Sequence, residues 1–291
     1  MKARLAFCLL LLAACGGSTN AQTVVKPRRM GQATMLRTPS GIEFALVGTK
    51  GARPAPVLFV MGGAAQAIVE DESSNLVGWL LAKHGFLSVA LDIPCHGKDR
   101  RPGEPEGMAC WRARLEKGEN LLGGFMSRLS SVIDFLVRER YADPTRLGAA
   151  GPSRGGFMSL HAAAVEPRLR YAVAFAPLTD LLALREFQGT TAPVPARALD
   201  VMLLVDKLVD RPILVSIGHN DERVGTRHAM DFALRLMELS PLHKKPMTHF
   251  WSGDDIKLVV TPSEGTSGHS SYRTAHDEAA EWILRYGSAP R

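Results

Sequence analysis

The chain has 291 residues, of which 46% are hydrophobic and 22% are charged, and its formal net charge at pH 7 is +6. These values are ordinary for a soluble globular protein with one large α/β domain or two small ones. The positive balance is mild, and the basic cluster near the N-terminus, Lys26-Pro-Arg-Arg29, is typical of a solvated linker. Composition therefore argues against a nucleic-acid partner.

The first residues predict an exported protein. Met1–Arg4 is basic and Leu5–Leu12 is an apolar run too short to span a bilayer, which is the pattern of a signal peptide. Leu12-Ala-Ala-Cys15 resembles a bacterial lipobox, in which Cys15 is lipid-modified and becomes the mature N-terminus; the alternative is ordinary cleavage after Ala21. We favour a lipoprotein-type signal over residues 1–15 and a flexible tether over 16–33.

This N-terminus has two consequences. Lipid on Cys15 would anchor the protein to a membrane of the bacterial cell envelope, at the outer membrane or the periplasmic face, whereas the alternative cleavage gives a periplasmic or secreted protein. Either compartment is oxidising, so Cys95 and Cys110, the cysteines outside the N-terminal segment, are candidates for a disulfide. A pair of buried free thiols is the alternative, because sequence alone cannot bring two Cα atoms within bridging distance.

Hydrophobic patterns along the chain predict alternating strands and helices. Residues 93–120, rich in proline and glycine, predict a long irregular excursion, and 176–210 predict a small inserted helical cap. Because the strands are continuous apolar runs, we expect a mostly parallel sheet covered by helices on both faces, with an antiparallel edge. The predicted strands are 34–37, 42–47, 57–60, 86–92, 146–150, 171–175, 212–217 and 257–260, and the predicted helices are 75–83, 121–138, 155–165, 229–239 and 272–286.

One short motif lies where a predicted strand meets a predicted helix. Gly151-Pro-Ser-Arg-Gly155 has the form G-x-S-x-G, which at such a junction is typical of a nucleophile elbow. Glycines are needed beside a serine on so sharp a turn, because strand, turn and helix approach closely. The alternative is a glycine-rich turn in which Ser153 caps the helix.

Two further residues follow later predicted strands. Asp221 comes after the strand ending at Ile217, and His269 comes after the strand ending at Val260. Parallel sheets bind ligands at the carboxyl ends of their strands, so these side chains are expected at one edge with Ser153. The order serine, acid, histidine is that of the α/β-hydrolases.

The chain from about residue 40 to 286 resembles the α/β-hydrolase fold. Gly218-x-x-Asp-x-x-Val224 and Gly268-His269 resemble the dienelactone hydrolase and prolyl oligopeptidase branch, and Asp92-x-Pro-x-His-Gly97 resembles the turn after the family's fourth strand. Met61 departs from the pattern, since many relatives have histidine before the glycine pair Gly62-Gly63. The resemblance implies one hydrolase domain over 34–291, interrupted by the cap at 176–210, and catalysis without a cofactor.

The resemblance also implies a role for each site residue. Ser153 would be the nucleophile, His269 the general base and then acid, and Asp221 the residue that orients His269. The backbone N–H groups of Arg154 and of the Gly63 region would form the oxyanion hole. Competing assignments are Asp254 or Asp255 for the acid, and His219 or His276 for the base, with His276 expected at the surface. His96 is expected to be structural or to line the substrate site, and no sequence pattern predicts a metal site.

The function favoured by these residues is cleavage of a small-molecule carboxylic ester through an acyl-enzyme. A serine peptidase is the first alternative, although no N-terminal propeller is expected, and a non-catalytic binding protein on the same scaffold is the second. The Arg154 side chain could pair with an acidic substrate or, as we favour from sequence, form a structural salt bridge. Candidate pocket residues are Met61, Gly62, His219 and Trp111. Candidate apolar walls, each of which could equally be an ordinary core residue, are Trp111, Phe175, Phe187 and Met202.

Overall fold

The structure, a computed structural model, describes residues 31–240, 255–263, 267–270 and 273–287. The predicted signal peptide, Cys15 and the tether up to residue 30 lie outside these ranges. Asp254 also lies outside them. The predicted division of the chain into signal, tether and domain therefore stays a prediction.

Within the described residues, eight strands form one mixed sheet. The strands are β1 (Thr34–Arg37), β2 (Glu43–Val47), β3 (Ala55–Val60), β4 (Leu87–Ala90), β5 (Ala142–Pro152), β6 (Leu169–Phe175), β7 (Ile213–Gly218) and β8 (Ile256–Thr261). Their order across the sheet is β1-β2-β4-β3-β5-β6-β7-β8. The pairs β1–β2 and β2–β4 are antiparallel, and every other neighbouring pair is parallel. The predicted mostly parallel sheet with an antiparallel edge is confirmed.

Helices cover the sheet between the strands. They are α1 (Ala65–Glu70), α2 (Glu72–Ala82), α3 (Gly107–Glu116), α4 (Gly123–Arg138), α5 (Arg154–Val165), α6 (Pro193–Arg197), α7 (Val205–Leu208), α8 (Thr226–Leu239) and α9 (Arg273–Gly287). None of these helices has the length and apolar character needed to cross a membrane, a finding that applies to the described ranges. Two of them, α1 and α3, lie where the sequence predicts no helix.

The core has two layers because the strands are buried on both faces. In β3, Val57 and Phe59 face the layer that contains α4, α5 and α8, whereas Leu58 and Val60 face the layer that contains α2 and α9. This alternation has the period of two that a strand requires. Since both sets of side chains are apolar, the strands read in the sequence as continuous hydrophobic runs.

The excursion between β4 and α4 is more ordered than the sequence predicts, since it contains α3. A disulfide joins Cys95 to Cys110, with Cα atoms 6.0 Å apart, as favoured from the sequence. The buried Arg114 donates two hydrogen bonds to the Glu104 carboxylate, at 2.9 and 2.8 Å, and a third to Asp99. The two sulfur atoms and the Glu104 carboxylate lie within 4.8 Å of one another, but the disulfide and this ion pair already use those groups.

The segment 176–210 consists of 3-10 turns and the short helices α6 and α7. Its buried apolar side chains, including Leu181, Phe187 and Val201, belong to the same core layer as α4, α5 and α8. The Arg112 guanidinium on α3 donates to the backbone carbonyls of Glu186, Gln188 and Gly189, at 3.0–3.1 Å. The two long connections are therefore tied to each other.

The Glu104–Arg114 pair predicts a defined acid sensitivity. Hydrogen bonds from Arg114 lower the pKa of Glu104 from 4.5 to about 2. A folded-state pKa below the unfolded value gives stability that is complete above pH 4.5 and is lost as pH falls towards about 2. We expect Glu104→Gln to unfold at lower urea than wild type near about pH 6, with the difference shrinking below about pH 4.5.

Glu106→Gln in the same loop is the matched control, since that carboxylate is 83% exposed and pairs with Arg100 at the surface. Exposed pairs contribute little to stability, so this variant should follow the wild-type midpoint at every pH. A Glu104→Gln deficit that stays constant down to about pH 2 would contradict the ion-pair origin of the effect.

Candidate active site

Ser153 stands between β5 and α5, at the turn predicted from the G-x-S-x-G motif. Its backbone φ is +54° and its ψ is −117°, a region that residues other than glycine rarely adopt. Three backbone hydrogen bonds hold it there: Ser153 N donates to the Phe175 carbonyl at 2.8 Å, and the Ser153 carbonyl accepts from the Phe157 and Leu178 amides. The Ser153 side chain makes no capping hydrogen bond to α5, so the alternative of an N-capping serine is wrong.

The glycines on either side of Ser153 are required by a close backbone approach. A Cβ atom on Gly155 would lie 2.0 Å from the Met61 carbonyl oxygen, and one on Gly151 would lie 2.3 Å from the same oxygen. Real Cβ atoms do not come so near, so side chains at these positions would force the backbone apart. Gly156 is also confined, with its Cβ position 3.0 Å from Pro177 and 3.2 Å from Ala174.

Met61-Gly62-Gly63, here called the glycine loop, follows β3 and lies against the turn at Ser153. Met61 N donates to the Ala150 carbonyl at 2.9 Å, and the Gly63 carbonyl accepts from Ile93 N at 3.2 Å. The Arg154 Nε donates to the Gly62 carbonyl at 2.7 Å. Arg154 is also the first residue of α5, where backbone N–H groups have no partner within the helix. The hydrogen bond from Arg154 to Gly62 thus joins the two segments that contain the proposed oxyanion-hole donors, Gly63 and Arg154.

Asp221 and His269 are in direct contact. The Asp221 Oδ2 lies 2.8 Å from the His269 Nδ1, and the Asp221 side chain is completely buried whereas that of His269 is 22% exposed. The other carboxylate oxygen accepts hydrogen bonds from the backbone N–H groups of Arg223 and Val224, at 2.9 and 3.1 Å. Burying a carboxylate is costly unless its oxygens are satisfied, and here both oxygens have partners. A carboxylate only accepts, so the His269 Nδ1 is the donor in this contact, and in a neutral imidazole Nε2 is then the acceptor.

Two backbone hydrogen bonds join the loop that carries Asp221 to the end of β8 and to the loop that carries His269. His219 N donates to the Thr261 carbonyl at 2.8 Å, and Glu222 N donates to the Ser267 carbonyl at 2.8 Å. Gly268 has a φ of +64°, and a Cβ there would lie 1.9 Å from the Asn220 carbonyl oxygen. The glycine before His269 is thus needed for both its conformation and its space. No hydrogen bond joins Ser153 to His269 in the described residues.

Thr226 and Ser263, which sequence patterns did not single out, are hydrogen-bonded to the loop that carries Asp221. The Thr226 Oγ1 accepts from Asp221 N at 2.8 Å and donates to the Gly218 carbonyl at 2.6 Å. The Ser263 Oγ accepts from Asn220 N at 2.7 Å. The sequence signal for Thr226 was its position: it follows a glycine at the start of α8, directly after the loop that carries Asp221.

The structure separates the competing residues from this pair. His219 is exposed, and its Nδ1 accepts from Ser263 N at 3.0 Å. Asp255 lies just before β8, at the opposite end of that strand from His269. His276 is not at the surface as predicted: it is buried against the Phe175 ring, with centroids 4.0 Å apart, and burial lowers its pKa to about 4.

Most of the predicted apolar walls belong to the core. Trp111 has no exposed surface, its Nε1 donates to the Pro94 carbonyl at 2.8 Å, and its ring packs on Phe157. Phe175 is also fully buried, and Met61 is 2% exposed, so these side chains do not face solvent in a pocket. Large aromatic residues in an excursion are ambiguous from sequence, because the core extends beneath it. Phe187 is buried as well, whereas Met202 is 37% exposed.

A sequence comparison identifies the family. The model of the prolyl oligopeptidase family matches residues 126–287, which is more than half of the chain. The chain belongs to the prolyl oligopeptidase family. It is a serine hydrolase with the α/β-hydrolase fold, as the motifs and the sheet indicate. A search of curated proteins gave no match.

Solved structures with the same fold include a glutathione-thioester hydrolase, an esterase and a peptidase. S-formylglutathione hydrolase from Agrobacterium tumefaciens is 17% identical, with a TM-score of 0.59 over 90% of this chain and 98% of that one. Acetyl xylan esterase 1 from Thermoanaerobacterium sp. JW/SL YS485 is 18% identical, with a TM-score of 0.58 over 90% and 89%. Acylaminoacyl peptidase from Pyrococcus horikoshii is 16% identical, with a TM-score of 0.58, and this chain spans 41% of its length. At these identities the likeness establishes the fold.

The crowding around Gly155 predicts a severe effect of adding one methyl group. In Gly155→Ala the new Cβ would overlap the Met61 carbonyl oxygen, and neither backbone segment can move without breaking the elbow. We expect a loss of about 1–3 kcal/mol or more in the free energy of unfolding, measured by urea denaturation.

Gly124→Ala in α4 is the matched control. Its Cβ position has only the Arg128 side chain nearby, at 3.8 Å, and alanine favours a helix over glycine. We expect this variant to be as stable as wild type or slightly more so. Equal stabilities for the two alanine variants would refute the steric account of the elbow.

Proposed function

We propose that this member of the prolyl oligopeptidase family cleaves carboxylic esters through a triad of Ser153, His269 and Asp221. The observation that carries the proposal is the buried Asp221 carboxylate bonded to the His269 Nδ1 at 2.8 Å. These residues follow β7 and β8, and Ser153, in strained backbone, follows β5, a parallel strand of the same sheet. This arrangement fixes the tautomer that a general base needs, because the proton on Nδ1 leaves Nε2 free to accept one.

In the proposed reaction, the Ser153 Oγ attacks the ester carbonyl carbon while its proton passes to the His269 Nε2. The imidazolium that forms is stabilised by the Asp221 carboxylate. The carbon–oxygen bond to the alcohol then breaks, and the alcohol leaves with the proton from His269. Water, deprotonated by the same imidazole, attacks the acyl-enzyme and releases the acid and the free serine.

Negative charge develops on the carbonyl oxygen during both attacks. The backbone N–H groups of Gly63 and Arg154 are the proposed donors, each contributing about 3 kcal/mol to the transition state. Support comes from the hydrogen bond between Arg154 and Gly62, which holds the two donor segments together. Glycine at position 63 lets a main-chain N–H reach a ligand without a side chain in the way. No cofactor enters this scheme.

Support for an ester substrate comes from acetyl xylan esterase 1, which this chain covers over 89% of its length, against 41% for the peptidase. A peptidase with the same triad is the second candidate, since the family's name refers to peptide cleavage. Both reactions use one mechanism, so comparison of rates on matched ester and amide substrates decides between them.

The triad proposal is tested with a fluorophosphonate probe and 4-nitrophenyl esters of short and medium acids. We expect labelling and turnover in wild type, neither in Ser153→Ala, and a fall of about 10⁴ in kcat for Asp221→Asn. Asp255→Asn is the matched control, because that side chain precedes β8 and should leave labelling intact. Folded wild-type protein that takes no label would overturn the proposal, and turnover of peptide anilides that is lost in Ser153→Ala would make the enzyme a peptidase.

We also propose that the chain is exported and lipid-anchored through Cys15. The Cys95–Cys110 disulfide supports export, because structural disulfides persist in oxidising compartments. We expect Cys15→Ser to move the protein from the membrane fraction to the soluble fraction of the cell envelope. Mass spectrometry checks the anchor directly, and an unlipidated mature chain beginning at Gln22 would rule it out.

A further inference from the structure

The Arg154 side chain is a cation beside the nucleophile without a carboxylate partner in the described part of the chain. Its one side-chain hydrogen bond there is from Nε to the neutral Gly62 carbonyl, at 2.7 Å. The structural salt bridge favoured from sequence is therefore absent from those residues. Partly buried arginines normally pair with carboxylates, because an uncompensated charge pays a desolvation cost.

The charged neighbour of Arg154 is another arginine. Burial first, and the positive charge of Arg223 second, lower the pKa of Arg154. Arg223 is itself neutralised, since its two terminal nitrogens lie 2.8 and 2.7 Å from the two Glu186 carboxylate oxygens. Arg223 and Glu186 thus neutralise each other, and among the described residues no carboxylate is bonded to Arg154.

The guanidinium lies between the glycine loop and the excursion that follows β4. Its Nη1 is 4.0 Å from the Cβ position of Gly107, and the His96 ring is 3.6 Å from the Cβ position of Gly63. The glycine loop borders the end of β5, since the Cβ position of Gly62 is 3.8 Å from Pro152, the residue before Ser153. Because Nε is held by Gly62, the edge formed by Nη1 and Nη2 is left with two parallel donors, which is the fork that matches a carboxylate.

We propose that Arg154 binds a carboxylate carried by the substrate, so that the enzyme prefers esters with a negatively charged group near the scissile bond. This inference rests on the proposed function, because it places the carboxylate relative to Ser153. Arg154 would act as a specificity-determining residue: its backbone N–H contacts the oxyanion, and its side chain selects the anionic substrate. The carboxylate forms no covalent bond and stays on the substrate throughout.

Two pairs of substrates test the preference, one for each side of the ester. Mono(4-nitrophenyl) glutarate and its methyl ester differ by a charge on the acyl side, and 4-acetoxybenzoate and its methyl ester differ by a charge on the alcohol side. For at least one pair, we expect the ratio of kcat/KM for the anionic ester to that for the neutral ester to fall by at least about 30-fold in Arg154→Gln. Arg154→Lys, which keeps the charge and loses the fork, should lie between that variant and wild type.

Arg227→Gln is the matched control, because it removes an 85% exposed arginine that pairs with Asp231 on α8. It lowers the net charge by the same amount, so it should leave both ratios as in wild type. Ratios that do not change in Arg154→Gln for either pair, in a variant with wild-type circular dichroism, would overturn the inference. Ratios that fall equally in Arg227→Gln would also overturn it, since the effect would then be long-range.

A binding measurement separates this inference from the proposed function. Calorimetry of the anionic ester from the pair that responds, mono(4-nitrophenyl) glutarate or 4-acetoxybenzoate, with Ser153→Ala and with Ser153→Ala combined with Arg154→Gln, needs no turnover; both anions are measured if wild type turns over neither. We expect at least about 30-fold weaker binding when Arg154 is replaced. If wild type takes no fluorophosphonate label but this difference appears, the ester-cleavage proposal fails and the carboxylate site stands. If the label is taken and neither binding nor the rate ratios depend on Arg154, the carboxylate site fails alone.

Discussion

The backbone crossing beneath Ser153 is the constraint on which the catalytic end of the sheet depends. The Met61 carbonyl, at the end of β3, lies within 2.3 Å of where both Gly151 and Gly155 would carry a Cβ. The end of β5, the start of α5 and the glycine loop can share this space only if both positions lack side chains. Consequently Ser153, the first-turn N–H groups of α5 and the loop at Gly63 have fixed relative positions. The packing of β5, α5 and the glycine loop keeps Ser153 in its strained backbone conformation.

A second set of contacts fixes the acid and the histidine. Burial of an ionised carboxylate costs several kcal/mol, so Asp221 can be fully buried only while its two backbone donors and His269 all stay in place. Gly268 makes this geometry accessible, because the loop there passes too close to the Asn220 carbonyl for any side chain. Rotation of the imidazole would leave a buried oxygen unsatisfied, and this cost holds the ring in one orientation.

The sequence predicted the strands better than the connections between them. Burial on both faces makes every central strand an apolar run, and the elbow is visible because sterics demand glycine at two fixed positions. Helix α1 has six residues and follows two glycines, which is too short for a periodic pattern. Helix α3 was missed because its polar residues make contacts outside the helix: Arg114 is buried only because Asp99 and Glu104, in the loop before α3, accept its hydrogen bonds.

The same physics explains the errors at single residues. His276 has the spacing of the buried face of α9, three, four and seven residues before Ala279, Ala280 and Ile283, and only its polarity suggested the surface. The packing of that helix over Phe175 buries it. Trp111 looked equally suited to a pocket or a core, and the Pro94 carbonyl that satisfies its indole N–H is fixed by tertiary structure. Such partners lie on other elements, so no local pattern contains them. The contact between Asp221 and His269 could be anticipated because chain order and strand ends, which sequence does show, bring them together.

The arginines around the site differ in whether a carboxylate of the described residues neutralises their charge. Arg114 and Arg128 share Asp99, and Arg223 faces Glu186, so these cations are held by carboxylates that the chain supplies. Those pairs fix the excursion and the 176–210 segment on either side of the site. Arg154 is bonded only to a neutral carbonyl in the described residues, although it stands nearest the nucleophile. The Arg154 guanidinium gains most binding energy from a substrate anion that is already aligned with the reacting carbonyl. Neither the guanidinium nor the residues around it must then reorganise on binding.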